Sequence, residues 1–213
     1  MSAEPLDVPA IGAVTVGLDD TLFPLESWLD GAFEDVAAAA TAFGLDEVAL
    51  LDRLKALSAA GSNGRTIERA LIAVGMSDVE LPAVTPGLVA AFNAHAPARL
   101  ECYPGVEAAL STLRSLVPVA CVTDGDPHTQ RSKLRALRLT DAFDAVVFSE
   151  HPDDPSTPLE RAALLLGVPA AQTVHVMHGG PDAAMIPRQV RTLQVGPDGA
   201  ASTFVALAAE LSA

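Results

Sequence analysis

The sequence predicts an α/β protein, a doubly wound parallel sheet interrupted after its first strand by an inserted α-helical cap. Three observations predict it. An apolar strand near the N-terminus is followed by four helical segments with no strand among them. Beyond residue 98, strand and helix patterns alternate, the signature of a parallel sheet covered on both faces. Half of the 213 residues are hydrophobic and only 4% are aromatic, so the core is built from Ala, Val and Leu, which suits helices packed on such a sheet. The pattern places the core in residues 1–23 and 99–213 and the helical cap in 24–98.

Residues 11–17, IGAVTVG, read as a buried strand with acidic residues directly after it. Helical spacing runs through Leu25, Trp28, Leu29, Phe33 and Val36 over 25–43, with Gly44 as its stop. Asp46 caps a second helix carrying Val48, Leu51, Leu54 and Leu57. A third helix follows Ser62-Asn63-Gly64 and ends at Gly75, and a fourth covers 86–95. After Tyr103-Pro104-Gly105 come helix 105–116, strand 117–122, helix 127–138, strand 144–148, helix 157–166, strand 173–177, a Gly-rich loop, strand 191–195 and a helix from 201.

The formal charge of −14 argues against nucleic acid and anionic membranes as partners, since phosphate backbones are bound by clustered Lys and Arg. Lys55 and Lys133 are the only lysines. No apolar run approaches the roughly 20 residues of a membrane span, and MSAEPLDVPA lacks the basic and apolar regions of a secretory signal. Cys102 and Cys121 form no CxxC pattern and read as reduced, buried thiols, so a cytoplasmic protein is expected.

In doubly wound folds the ligand site lies outside the carboxyl ends of the strands. The segments to inspect are therefore Gly17–Phe23, Thr123–His128, Ser149–Pro158 and His178–Pro187. Together with Tyr103-Pro104-Gly105, Val122-Thr123-Asp124-Gly125, Gln130, Lys133, Leu134, Leu137, Leu139 and Asp141-Ala142-Phe143-Asp144, they resemble the haloacid dehalogenase superfamily in its helical-cap form. The resemblance covers nearly the whole chain. It implies a Rossmann-like core and phosphatase or dehalogenase chemistry with four requirements.

The first is a strand-one Asp nucleophile with an acid/base Asp two residues on. Gly17 stands at the nucleophile position and has no group to attack with or to bind metal. Asp19 matches the acid/base position, although a loop or capping carboxylate is its simpler reading, and Asp20 and Thr21 read as turn residues. The second is a strand-two hydroxyl. Thr123 fits, with the Asp124 and Gly125 amides as an anion nest. The third is a lysine or arginine in the loop 149–158, which contains neither; Arg161 comes too late, and Lys133 corresponds to a residue usually at the surface. The fourth is a pair of carboxylates after strand four for magnesium, where His178 holds the acidic position and Asp182 alone remains.

Three of the four requirements fail. The sequence therefore reads as a pseudoenzyme that binds a small anionic ligand or a protein partner, with no cofactor expected and magnesium only if activity survives. Gly17, Asp20, Asp124, Gly125 and Arg65 are the expected ligand-binding residues, Arg65 because a polar turn before a helix start supplies a cation. The alternative is a hydrolase acting through Asp19 or through a metal site of His151, His178 and Asp182, with Asp124, Asp126 and His128 nearby. His128, His151 and His175 read more simply as loop or capping residues. The Ala-rich stretch Val36–Ala42 suits a homodimer contact as well as internal packing.

Overall fold

The computed structural model describes residues 10–61, 65–149, 156–179, 186–196 and 198–213. The chain divides into two compact units, Met1–Pro24 with Arg99–Ala213, and Leu25–Ala98.

The first unit holds β1 (Ala13–Val16), α5 (Val106–Leu116), β2 (Val119–Thr123), α6 (Pro127–Ala136), β3 (Ala145–Phe148), α7 (Pro158–Leu165), β4 (Thr173–His178), β5 (Arg191–Val195) and α8 (Ala201–Leu211). The second holds α1 (Glu26–Ala40), α2 (Glu47–Ala59), α3 (Thr66–Ala73) and α4 (Leu81–Ala94). The five strands are all parallel, in the order β3-β2-β1-β4-β5. The chain thus builds outward from β1 to β3 and then returns to the other side of β1. This reversal opens a crevice at the carboxyl ends of β1 and β4.

β1 reads Ala-Val-Thr-Val and is buried throughout, as a strand covered on both faces must be. Thr15 lies opposite Ala120 of β2 and His175 of β4. On the same face of the sheet Ala120 and Val147 pack against Ala162 of α7. That helix starts sharply: Thr157 and Glu160 form a reciprocal capping box, with Pro158 in the first turn. Asp126 caps α6 in the same manner, accepting from the Thr129 N–H at 2.8 Å ahead of Pro127.

The helical unit closes on its own core, in which Val36, Leu50, Leu54, Leu71 and Leu88 are buried. Trp28 meets Phe92 edge-on at 5.0 Å and His95 at 5.4 Å. α4 begins at Leu81 rather than at 86. A proline is tolerated in the first turn, which makes Pro86 look like a helix start. Here Pro82 has that role, and Glu80 accepts from the Ser77 N–H just before it. Among the described residues no helix is long and apolar enough to cross a membrane.

Both cysteines are free; Cys121 is fully buried, whereas Cys102 is only partly so, which corrects the expectation of two buried thiols. Burial still pushes the Cys102 thiol up to about 11, with Glu107 adding to it.

Gly199 has φ +80, and a Cβ there would run into the ring of Tyr103. Gly167 has φ +71 but nothing near its missing Cβ. Gly199→Ala is therefore expected to destabilise the fold by about 2–3 kcal/mol, combining backbone strain with overpacking. Gly167→Ala should cost only about 1 kcal/mol. Denaturant midpoints of the two variants measure the difference.

Candidate functional site

The loop after β1 is a tight turn in which the Leu22 N–H donates to the Leu18 carbonyl at 3.0 Å. Leu18, Leu22 and Phe23 anchor it in the core. Asp20 sits at φ 54, a left-handed conformation that Asp tolerates better than most residues. The Thr21 hydroxyl accepts the His178 N–H at 2.9 Å and so ties the loop to the end of β4. Gly17, whose N–H donates to the Val176 carbonyl at 2.8 Å, lies directly beneath. A Cβ on Gly17 would stand 2.9 Å from the Thr21 hydroxyl. Glycine thus leaves no side chain at the place where a nucleophile would begin.

Asp19 is neither a cap nor a free loop carboxylate. Both of its oxygens accept from the Lys133 ammonium at 2.9 Å. Lys133, expected at the surface, has a side chain only 3% exposed, against 27% for Asp19. The reason is the face of α6 that carries it: Thr129, Gln130, Ser132 and Lys133 are all buried. Burial pushes the Asp19 carboxyl above the ordinary carboxylate range, outweighing the pull of Lys133 and Gln130, and neighbouring Asp20 adds to the push. The charge sought in the loop 149–158 thus arrives from α6. Gln130, one turn before Lys133, donates from its amide nitrogen to the Asp124 carbonyl, and its amide oxygen is buried with no hydrogen-bond partner among the described residues.

Asp19, Thr21, Thr123, His175, Met177 and His178 contribute to a cleft of about 210 Å³, with Gly17 and Asp124 also in its wall. Thr123 closes β2 and is buried. Gly125 adopts φ +98, as the nest reading requires. At the floor, His175 is a buried mid-strand residue rather than a loop or capping one. Its Nδ1 and the Thr15 hydroxyl form a 2.9 Å hydrogen bond across the β1–β4 pair. Burial drives its imidazole down to about 4, against smaller upward pulls from Thr15 and Asp124, and so keeps it neutral.

The other expected residues are placed less centrally. Arg161 is spent on the backbone: its guanidinium donates to the carbonyls of Ser156 at 2.8 Å and Phe148 at 2.7 Å, bracing both ends of the loop after β3. Arg65 lies in the helical unit at the start of α3, largely exposed and ion-paired with Glu68. The cation found at the Asp19 carboxylate is Lys133, not Arg65. His151 and Asp182 lie outside the described residues, and His178 is exposed at the end of β4. Among the described residues no three His, Cys, Asp or Glu side chains gather as a metal site would require.

Sequence reasoning missed three contributors. Gln130 and Lys133 are i and i+3 on a helix whose cap is evident at Asp126, a spacing that puts them on one face. That polar pair is the signal that could have found them. His175 lies two residues from Met177 on the face of β4 opposite Val174 and Val176, which alternation along a strand makes readable.

The family model for haloacid dehalogenase-like hydrolases matches residues 11–188. The chain belongs to that family. No curated protein matches it in sequence. Among solved structures, it is similar to a haloacid dehalogenase-like family hydrolase from Xanthomonas campestris, with 22% identity, 97% of this chain and 95% of that one covered, and a TM-score of 0.52. It is also similar to CbbY from Rhodobacter sphaeroides, a structure in complex with phosphate (17% identity, 86% and 85% covered, TM-score 0.56). A third is the defluorinating L-2-haloacid dehalogenase Rha0230 (16% identity, 95% and 96% covered, TM-score 0.53). At these identities the likeness concerns the fold.

The family implies magnesium, and the described side chains do not suit it. Magnesium takes carboxylate and other oxygen ligands in near-octahedral geometry. Gly17 offers no side-chain oxygen, the Asp19 oxygens both face an ammonium, and His178 presents nitrogen.

His175 titrates lower when folded than when unfolded, so the unfolded chain binds the extra proton between about pH 6.5 and 4. Stability is then full above that window and falls as pH drops through it, by about 3 kcal/mol from this group. In His175→Gln that part of the acid dependence should vanish, which denaturation at stepped pH would detect; an unchanged slope would mean the proton goes elsewhere.

Proposed function

We propose that this protein is a non-hydrolytic member of its family, which binds a small ligand in the cleft at the carboxyl ends of β1, β2 and β4. The observation that carries this reading is Gly17 at the end of β1, with the Thr21 hydroxyl 2.9 Å from the place of its missing Cβ. Covalent phosphoryl transfer needs a nucleophile at that point, and glycine supplies none. The Thr123 hydroxyl and the nest amides of Asp124 and Gly125 supply neutral donors, while the charge of Lys133 is matched by Asp19. This combination suits a ligand with hydrogen-bond acceptors and at most a single negative charge better than a phosphate dianion, whose second charge would meet no spare cation among the described residues. Two free thiols fit a reducing, cytoplasmic setting.

A second reading has one observation in its favour. Asp19 faces the cleft beside an ammonium, so a hydrolase could use it directly.

The test is turnover of phosphomonoesters and 2-haloacids by the wild type and Asp19→Asn, together with a thermal-shift screen of small carboxylates and polar metabolites. The expected outcome is no turnover, with a stabilising ligand whose effect Thr123→Val abolishes. Turnover that disappears in Asp19→Asn would replace the binding reading with the second one.

A further inference from the structure

Side chains along a strand alternate between the two faces of the sheet. Thr15 lies in register with Ala120, which packs on α7, and with His175. Gly17, two residues after Thr15, and Met177, two after His175, therefore share the α7 face with them. A Cβ on Gly17 would stand 3.7 Å from the Met177 Cβ. Any side chain at position 17 would stand over the Thr15–His175 pair, and glycine leaves that approach open.

We propose that the cleft has a second polar subsite at His175, which reads an uncharged hydroxyl at the far end of a short monocarboxylate held at Thr123. The proposal rests on the binding reading and narrows its ligand to a short-chain hydroxyalkanoate.

Four observations carry this. His175 is 6% exposed yet forms part of the cleft wall. Its Nδ1 is engaged by the Thr15 hydroxyl, and its Nε2 has no hydrogen-bond partner among the described residues. A polar atom so placed is costly to leave unserved. The Thr15 hydroxyl can donate or accept, so Nε2 is an acceptor in one tautomer and a donor in the other; a ligand hydroxyl suits both.

Between Thr123 and His175 the wall carries Val122, Leu159, Met177 and Ile186, which suit an alkyl chain. The imidazole is held neutral by burial and offers no charge to a second carboxylate. The register puts His175 level with Ala120, hence roughly 10 Å below Thr123 along the strands. Hydrogen bonds of about 2.8 Å at each end leave about 5 Å, the span of a chain of about four carbons. The cleft of about 210 Å³ equals the share of about seven waters, which matches the heavy atoms of 4-hydroxybutyrate.

The test is calorimetric titration of 4-hydroxybutyrate, butyrate and succinate into the wild type and His175→Phe, which keeps a ring but removes both nitrogens. The wild type is expected to bind 4-hydroxybutyrate about tenfold more tightly than butyrate, the worth of one hydrogen bond to a neutral group. Succinate should bind more weakly than 4-hydroxybutyrate. In His175→Phe the butyrate affinity should persist while the hydroxyl preference disappears; a merely structural role would weaken both alike. If His175→Phe does not fold, the wild-type preference decides.

Equal affinity for butyrate and 4-hydroxybutyrate overturns the proposal, as does a preference that survives in His175→Phe. Failure of 4-hydroxybutyrate to bind at millimolar concentration, or succinate binding as tightly, overturns it too. Butyrate binding that Thr123→Val abolishes, with no hydroxyl preference, removes this proposal and leaves the binding reading. Phosphomonoester turnover with the hydroxyl preference intact removes the non-hydrolytic reading and leaves the subsite.

Discussion

Thr21 carries the geometry of the site. Its hydroxyl accepts the His178 N–H at the end of β4, and its carbonyl accepts the Ala200 N–H at the start of α8 at 3.0 Å. The next carbonyl, that of Leu22, accepts the Tyr103 N–H at 2.9 Å, so two adjacent residues fasten three distant segments. Thr21 and Ala200 are buried, where an unmade hydrogen bond is costly. The turn therefore cannot loosen without exposing several orphaned groups at once, and it fixes where Asp19 points.

The charge of the site follows from that fixed turn. An isolated carboxylate held against β2 and α6 would be expensive, and the raised titration of Asp19 registers that cost even with Lys133 present. An ion pair of this kind adds little net stability compared with an apolar pair, while removal of one partner is severe. Its persistence in a chain with only two lysines is better understood as specification of a geometry than as stabilisation. The same holds for α6, which buries Thr129, Gln130, Ser132 and Lys133 beside the apolar Leu134 and Ala136. A helix that serves only packing has no use for that face.

Much of this was legible in the sequence. The parallel doubly wound sheet was legible in the β-α alternation, and the end of β1 in Gly17 and its acidic followers. Thr123-Asp124-Gly125 was legible as a strand end followed by a turn, since a turn former and a glycine in succession end β2 there. Lys133 was not legible, because the search for a cation followed the loop after β3, where chain order suggested it. The space beside Asp19 is instead filled by α6, whose i, i+3 pair Gln130 and Lys133 marks a polar face without stating what that face packs against. His175 shows the complementary difficulty: its neighbours in the chain are apolar and undistinguished, and its partner Thr15 is 160 residues away. Contacts across a parallel sheet join residues whose separation in the chain exceeds any local pattern.

Gly17 departs from the family's pattern, whereas Lys133 is among the residues that keep it. A carboxylate at position 17 would bring a second negative charge to the mouth of β1, and a metal would be the natural means of holding two such groups together. With glycine there, Asp19 is paired with Lys133, and Asp124 is a further carboxylate in the cleft wall. The buried neutral imidazole of His175 completes that logic at the floor of the cleft, since a second cation there would disturb the balance that Lys133 sets. Asp19 and its ammonium cancel, Asp124 stays in the wall of the cleft, and the chain as a whole carries a formal charge of −14, so the field around the cleft repels highly charged anions during approach.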